Sequence, residues 1–160
     1  MLFPTHVIAG YVLGHRLRLP ALPAAAGAAL PDIVDKPPAM LGLLDLYHSV
    51  GHSALVFLPV LVAGLVVSPG RAWIAVCVGW VAHLALDATH MLVNGRPADT
   101  AFLLWPAVIH YPDIEFGPLE FFAFYIGSPS FFIEMVVWVG AAALVWRALV
   151  AGNDRATDRV

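Results

Sequence analysis

The stretch Ala72-Trp-Ile-Ala-Val-Cys-Val-Gly-Trp-Val-Ala-His83-Leu-Ala-Leu-Asp87 places an imidazole and a carboxylate at the end of an apolar run. Residues four positions apart share one face of a helix, so the side chains of His83 and Asp87 would lie side by side. A polar pair this deep in an apolar segment is costly in lipid unless other groups meet it. The stretch therefore predicts a membrane helix whose polar pair is met by residues from elsewhere in the chain.

The composition of the whole chain is that of a membrane protein. Of its 160 residues, 61% are hydrophobic and 12% are charged, and the mean hydropathy is +0.83. Soluble domains are about half apolar and about a quarter charged. The net charge of −3 and the lack of a basic run argue against a nucleic-acid partner. The single cysteine, Cys77, excludes a disulfide framework within the chain.

Apolar segments at 48–68, 71–95 and 131–150 predict three membrane spans, because a span needs roughly 20 apolar residues. Before them, residues 4–17 and 20–31 are apolar but shorter, and they predict a short N-terminal helical pair. Prolines and aspartates that follow this pair predict that its second helix breaks there. The predicted fold class is all-α, a polytopic integral membrane helical bundle.

The domain prediction follows from the same segments. Residues 1–151 are expected to form one membrane-embedded domain, since a chain of this length favours a single domain. Residues 152–160 are polar and are expected to form a frayed C-terminal tail.

Threading the segments up and down through a bilayer separates the basic residues from most of the histidines and aspartates. One side would hold six of the eight basic residues, namely Arg16, Arg18, Arg71, Arg147, Arg155 and Arg159. Lys36 and Arg96 would lie with the imidazoles and carboxylates on the other side. Because basic loops stay cytoplasmic, the polar site is expected to face the extracytoplasmic side of the plasma membrane.

Imidazoles and carboxylates from the first ninety residues are expected to gather on that side. The candidate metal ligands are His6, Asp32, Asp35, His48, His52, His83 and Asp87. Mixed nitrogen and oxygen ligands suit divalent zinc, manganese or iron, with zinc preferred here. A catalytic zinc takes about three protein ligands, so this larger set predicts two ions. Asp35 is expected to be a ligand or the catalytic general base.

Each of these residues also has a structural interpretation. The pair His83 and Asp87, taken alone, could simply fix the packing of two helices. His6 is close to the start of the sequence and could be a solvated residue at a helix end. Asp35 precedes Lys36 and could pair with it or cap the loop. The metal interpretation is preferred because so many ionisable groups cannot lie dispersed in an apolar bundle without partners.

The order of the motifs resembles a known family. The motifs are Thr5-His6, Pro31-Asp32-Ile-Val-Asp35, His48-Ser-Val-Gly-His52-Ser53 and Ala82-His83-Leu-Ala-Leu-Asp87-Ala-Thr89, followed by Gly95 and Leu104-Trp105-Pro106. Over roughly residues 1–107 they resemble the YdjM-like family of small inner-membrane proteins, described as metal-dependent hydrolases. That family has His-Arg-Gly-x-Thr-His-Ser where this chain is one residue shorter and lacks the arginine. A phosphate-binding role for that arginine is therefore not carried over.

Two further resemblances concern single motifs. Paired His-x-x-x-Asp spacing is similar to that of zinc-dependent phospholipase C, where such pairs hold a metal cluster. The motifs Ser49-Val-Gly-His52-Ser and His83-x-x-x-Asp87 are also similar to two signatures of lipid-phosphate phosphatases, which use a phosphohistidine and no metal. Those enzymes carry an arginine shortly before the second motif, and residues 76–82 contain none. The metal-dependent interpretation is preferred for that reason.

The resemblance implies a membrane-bound metal-dependent hydrolase that acts on a phosphoester or lipid-linked substrate through a metal-activated water. The expected partners are the lipid bilayer and a phospholipid or phosphoester substrate. The alternative is a non-catalytic metal-binding scaffold or a transport component. Transport needs polar groups that continue across the bilayer, and residues 54–67 and 72–82 supply no charged ones.

Overall fold

The computed structural model describes residues 1–112 and 118–157, with the backbone alone described at 118, 119, 144, 145 and 147–157. Every regular element in that part of the chain is a helix, so the all-α prediction is confirmed. The elements are α1 Phe3–Arg16, α2 Ala21–Met40, α3 Ala54–Val67, α4 Arg71–Val93, a 3-10 helix Pro97–Leu104, α5 Pro118–Tyr125 and α6 Pro129–Thr157. They fall into two compact units, Met1–Gly117 and Pro118–Val160.

A trio of helices packs together in the first unit, in which α2 contacts both α1 and α4, and α1 contacts α4. Glycines allow α2 and α4 to approach almost to backbone contact. A Cβ atom on Gly79 would lie 1.9 Å from the carbonyl oxygen of Ala24, and one on Gly27 would lie 2.0 Å from that of Val76. This close approach sets the separation of polar side chains that α2 and α4 carry further along.

Helices α2 and α4 run in the same direction, and α1 runs antiparallel to both. Gly14 of α1 lies against the start of α2, whereas His6 lies near Asp32 in its second half. At the other end of the trio, a guanidinium nitrogen of Arg71 donates to the carbonyl oxygen of Arg18. The N-terminal turns of α1 and the later turns of α2 and α4 therefore meet at one end.

The predicted break after residue 31 is wrong, because α2 continues through Pro31 to Met40. A proline removes one helical hydrogen bond, but contacts with neighbouring elements can hold the helix together. Here the carboxylate of Asp35 accepts backbone hydrogen bonds from Ser49, Gly51 and His52. As a result, Asp32 and Asp35 lie on a helix and not in a loop.

The predicted helix start at residue 48 is also wrong, because α3 begins at Ala54. The hydroxyl of Ser53 accepts a hydrogen bond from the backbone N–H of Val56 at 3.2 Å, which caps the helix. Residues 41–53 form an irregular loop that carries His48 and His52. At the far end of α4, Gly95 adopts a φ of 73° and ends that helix.

One helix of the described residues, Arg71–Val93, is long and apolar enough to cross a membrane. The helix Ala54–Val67 and the segment Pro129–Ala143 are apolar but shorter. The structure thus supports a helical protein with one possible membrane span, and the arrangement with three spans stays a prediction.

The second unit contains α5 and α6. Within it, the buried hydroxyl of Tyr125 donates a hydrogen bond to the buried carboxylate of Glu134. Helix α6 continues to Thr157, beyond residue 152 where the sequence predicts the polar tail to begin.

Candidate metal centre

Four buried side chains form a compact group that could hold a metal ion: Asp32, His52, His83 and Asp87. Each offers one ligand atom, and these atoms all lie within 4.8 Å of one another. The group joins α2, the loop 41–53 and α4, so it is assembled from three separate elements. The predicted meeting of these side chains is therefore observed for four of the candidates.

The short distances all involve the Nε2 atoms of two histidines. His83 Nε2 lies 3.1 Å from Asp87 Oδ2 and 3.1 Å from His52 Nε2. His52 Nε2 lies 3.3 Å from Asp32 Oδ1 and 3.5 Å from Asp87 Oδ2. Two imidazole nitrogens and two carboxylate oxygens thus face a common point, which is a donor set typical of zinc and related divalent ions.

The second nitrogen of each histidine is held by an acceptor outside the group. His83 Nδ1 lies 2.6 Å from the carbonyl oxygen of Ala28, and a carbonyl can only accept a hydrogen bond. His52 Nδ1 lies 2.7 Å from Asp35 Oδ2. Both contacts place the proton on Nδ1 and leave the Nε2 lone pair for a metal, as is usual for metal-binding histidines.

Asp35 lies behind His52 and outside the ring of four ligand atoms. Its oxygens accept hydrogen bonds from the backbone N–H groups of Ser49 at 2.8 Å, Gly51 at 2.9 Å and His52 at 3.2 Å. These contacts do not test the predicted roles of Asp35 as a ligand or a general base, which stay predictions. Because both of its oxygens accept hydrogen bonds from His52 or the loop that carries it, we infer that Asp35 also orients them.

The loop can approach α2 this closely because residue 51 is a glycine. A Cβ atom there would lie 2.8 Å from the backbone of Pro31, which is closer than real contacts allow. The carbonyl of Gly51 also accepts a hydrogen bond from the indole of Trp80 at 2.7 Å. These contacts tie the loop to both α2 and α4.

His6 and His48 flank the four-residue group and approach different oxygens of Asp87. His6 Nε2 lies 3.1 Å from Oδ1, and His48 Nε2 lies 3.7 Å from Oδ2. His6 is fully buried and its Nδ1 lies 3.9 Å from Asp32, whereas the His48 side chain is 27% exposed. All seven predicted residues thus lie in one region, with Asp35 set back behind His52.

Several buried polar atoms of this region form no hydrogen bond of ordinary geometry among the described residues, although charged neighbours lie close to them. They are both ring nitrogens of His6, both carboxylate oxygens of Asp32 and Asp87 Oδ2, and of these Asp32 Oδ1 also forms an ion pair with Lys36. Buried polar atoms are normally satisfied, so a cluster of such atoms indicates a missing partner. Carboxylates and imidazole lone pairs share a cation as a common partner, so a divalent metal fits the residues present.

The electrostatics of His52 favour the same conclusion. Burial opposes a charged imidazole, but the surrounding carboxylates outweigh burial and raise the pKa of His52 to about 10. The carboxylates that favour a proton on this ring would also favour a metal cation, which would displace the proton from Nε2 on binding.

The sequence left open an ion pair between Lys36 and Asp35, but the structure pairs Lys36 with Asp32. The Lys36 ammonium lies 2.7 Å from Asp32 Oδ1 in an ion pair between residues four positions apart on α2. The spacing of the two residues could have indicated this pair if α2 had been predicted to continue past Pro31.

The neighbouring 3-10 helix covers one side of the group. The ring of Phe102 lies 5.4 Å from that of His48 and 6.1 Å from that of His52, between centroids. In the same helix, the carboxylate of Asp99 lies 3.2 Å from a guanidinium nitrogen of Arg96 and 2.8 Å from Nε2 of His110.

No protein-family model, curated protein or solved structure matches the chain. The likeness to the YdjM-like family thus depends on the order of motifs in the sequence, and membership in that family stays a prediction.

Proposed function

We propose that this protein is a membrane-bound, metal-dependent hydrolase of phosphoesters or lipid-linked substrates. The observation that carries the proposal is the convergence of four ligand atoms from Asp32, His52, His83 and Asp87 within 4.8 Å. The Nδ1 contacts of His52 and His83 also support the proposal, because they turn both Nε2 atoms toward the group. A cluster with a purely structural role would not require this orientation.

Zinc is the preferred ion in this proposal, with manganese or iron as alternatives. Two ions are proposed because His6 and His48 approach separate oxygens of Asp87 beside the four-residue group. Bound divalent ions supply Lewis acidity and lower the pKa of water toward neutrality, which is the chemistry that phosphoester hydrolysis requires.

The protein's own residues divide this work among them. The metal ions would be bound by the four ligand side chains, Asp32, His52, His83 and Asp87. Asp35 would keep the His52 ring in the orientation that metal binding needs. Burial of these side chains excludes bulk water and strengthens electrostatic interactions between them. The partly exposed side chains of His48 and Lys36 indicate the direction from which a substrate would approach.

The position of the site along the membrane helix supports a lipid-type substrate. At about 1.5 Å per residue, Asp87 lies about 24 Å along α4 from Arg71, within the roughly 30 Å of a bilayer's hydrocarbon core. The exposed apolar side chains of α3 support membrane placement, with Val66 78% and Val67 84% exposed. If Arg71 lies at the cytoplasmic surface of the plasma membrane, the site is close to the extracytoplasmic surface.

The motif order and the site together support membership in the YdjM-like family as part of this proposal. The alternative is a metal-stapled scaffold, which is favoured by the fact that the ligands join three separate elements. A scaffold would bind metal without hydrolysing any substrate, so the two functions are separable by experiment.

The test is to purify the protein in detergent, count metals by elemental analysis and assay generic phosphodiesters and phospholipids. We expect bound divalent metal and metal-dependent turnover, both lost in a His83→Ala variant. His15→Ala is the matched control, because His15 is exposed on α1. Metal without turnover on any substrate would support the scaffold, and a His83→Ala variant that keeps metal and activity would contradict the proposed site.

A further inference from the structure

We propose that Lys36 is the phosphate-binding residue of this site, a role that rests on the proposed function. The anionic group it would bind is a phosphate, either of a phosphoester substrate or free in solution. This assignment depends on the position of Lys36, its exposure and the charge of its surroundings.

The ammonium of Lys36 borders the candidate metal ligands directly. It lies 2.7 Å from Asp32 Oδ1. That same oxygen lies 3.3 Å from His52 Nε2 and 3.6 Å from His83 Nε2, so it is the oxygen that faces the group. A ligand bound to the metal ions would therefore come within reach of Lys36.

Lys36 also reaches solvent, unlike the residues it borders. Its side chain is 36% exposed, whereas that of Asp32 is 3% exposed. Among the described residues, it is the one lysine or arginine whose side chain forms an ion pair with a candidate ligand. A long, flexible cation at the boundary between a buried site and solvent is well placed to meet an incoming anion.

The charge of the metal-loaded site is compatible with an anionic substrate. Asp32 and Asp87 each contribute a buried carboxylate, Asp35 adds a third immediately behind His52, and together they would offset much of the charge of the bound divalent ions. The ammonium of Lys36 adds a positive charge at the solvent side of the site. With one N–H directed at Asp32, it has two further N–H donors for phosphate oxygens.

The competing explanation is that the ion pair with Asp32 only stabilises α2. Pairs of this spacing and order are common on helices. A stabilising role would change thermal stability or metal content, whereas a binding role would change phosphate affinity and the KM for a phosphoester.

The test measures binding of inorganic phosphate to the metal-loaded protein by calorimetry, together with metal content and KM. For Lys36→Gln we expect phosphate affinity to fall roughly ten- to a hundred-fold, as for loss of a hydrogen bond to a charged group, with metal content unchanged. Lys36→Arg keeps the charge and should retain most of the affinity. Arg16→Gln removes an exposed charge from α1 and should change nothing.

The outcomes separate this inference from the proposed function. Wild-type protein that binds metal and phosphate but hydrolyses nothing, with phosphate binding lost in Lys36→Gln, supports Lys36 and overturns the hydrolase. Unchanged phosphate affinity in Lys36→Gln, or loss of metal together with phosphate, overturns the role of Lys36. Metal-loaded wild type that binds no phosphate also overturns it, and turnover on neutral esters would then still support a hydrolase.

Discussion

The two ends of the trio α1, α2 and α4 handle charge in opposite ways. At one end, the imidazoles and carboxylates are almost entirely buried and face one another across three elements. At the other end, Arg16, Arg18 and Arg71 are exposed, and the guanidinium of Arg71 donates a hydrogen bond to the backbone carbonyl of Arg18. The same helices therefore carry a buried charged site at one end and a solvated basic surface at the other.

This difference shows that the charged groups at the buried end depend on neighbouring side chains as partners, whereas the arginines at the basic end do not. An exposed charge interacts with water and contributes little to stability. A buried carboxylate without a partner is costly, so removing one member of the buried cluster should disturb all the others. Substitutions at the two ends should therefore differ in their effects on metal binding and stability.

The largest effect is expected for Asp87→Asn. Asp87 faces His6, His48, His52 and His83, and the change removes a charge while keeping the shape of the side chain. Metal affinity should fall by more than the roughly 10- to 100-fold that is typical for residues outside the ligand set. Elemental analysis after purification measures this, and a variant with full metal content would contradict the assignment.

A smaller loss is expected for Asp35→Asn, because Asp35 acts through His52. Metal affinity should fall roughly 10- to 100-fold, which is the usual cost of losing such an orienting partner. A competition titration with a chelating dye measures the affinity. Asp45→Asn is the matched control, since Asp45 is exposed in the same loop and should have no effect. If the two variants have equal metal affinity, Asp35 does not support the site.

The packing that supports the buried end is tested by Gly79→Ala. A Cβ atom there would lie 1.9 Å from the carbonyl oxygen of Ala24, so α2 and α4 must move apart. We expect a loss of about 1–3 kcal/mol in the free energy of unfolding, as for other overpacked sites. Thermal unfolding in detergent measures the change.

The control for this variant is Gly140→Ala on α6. A Cβ atom at Gly140 meets nothing within 4 Å, so the better helix propensity of alanine should leave stability unchanged or slightly higher. If both glycine variants are equally stable, close helix contact is not what holds the site together.

The smallest effect is expected at the basic end. Arg71→Gln removes the contact with Arg18 but leaves no buried charge without a partner. Stability should change by no more than about 0.5 kcal/mol, and metal content should not change. A large loss of metal in this variant would show that the two ends are not independent.

Much of the fold follows from local patterns in the sequence. The helical class and the adjacency of His83 and Asp87 are correct because periodicity and composition act within one segment. The end of α2 is predicted wrongly because Pro31 is a local helix breaker, whereas the hydrogen bonds that Asp35 accepts beyond it come from the loop 41–53. The start of α3 is predicted wrongly because apolar character begins near His48 while the backbone turns into a helix only after Ser53.

By itself, the sequence determines that the protein is helical and apolar, and that it carries imidazoles and carboxylates too numerous to be buried apart. These properties depend on composition and on spacing within single segments. Only the tertiary structure decides which side chains meet and which support them, because those distances depend on separate elements. The close approach of α2 and α4 at Gly27 and Gly79 brings Asp32 to His83, and the loop bound to Asp35 brings His52 to both.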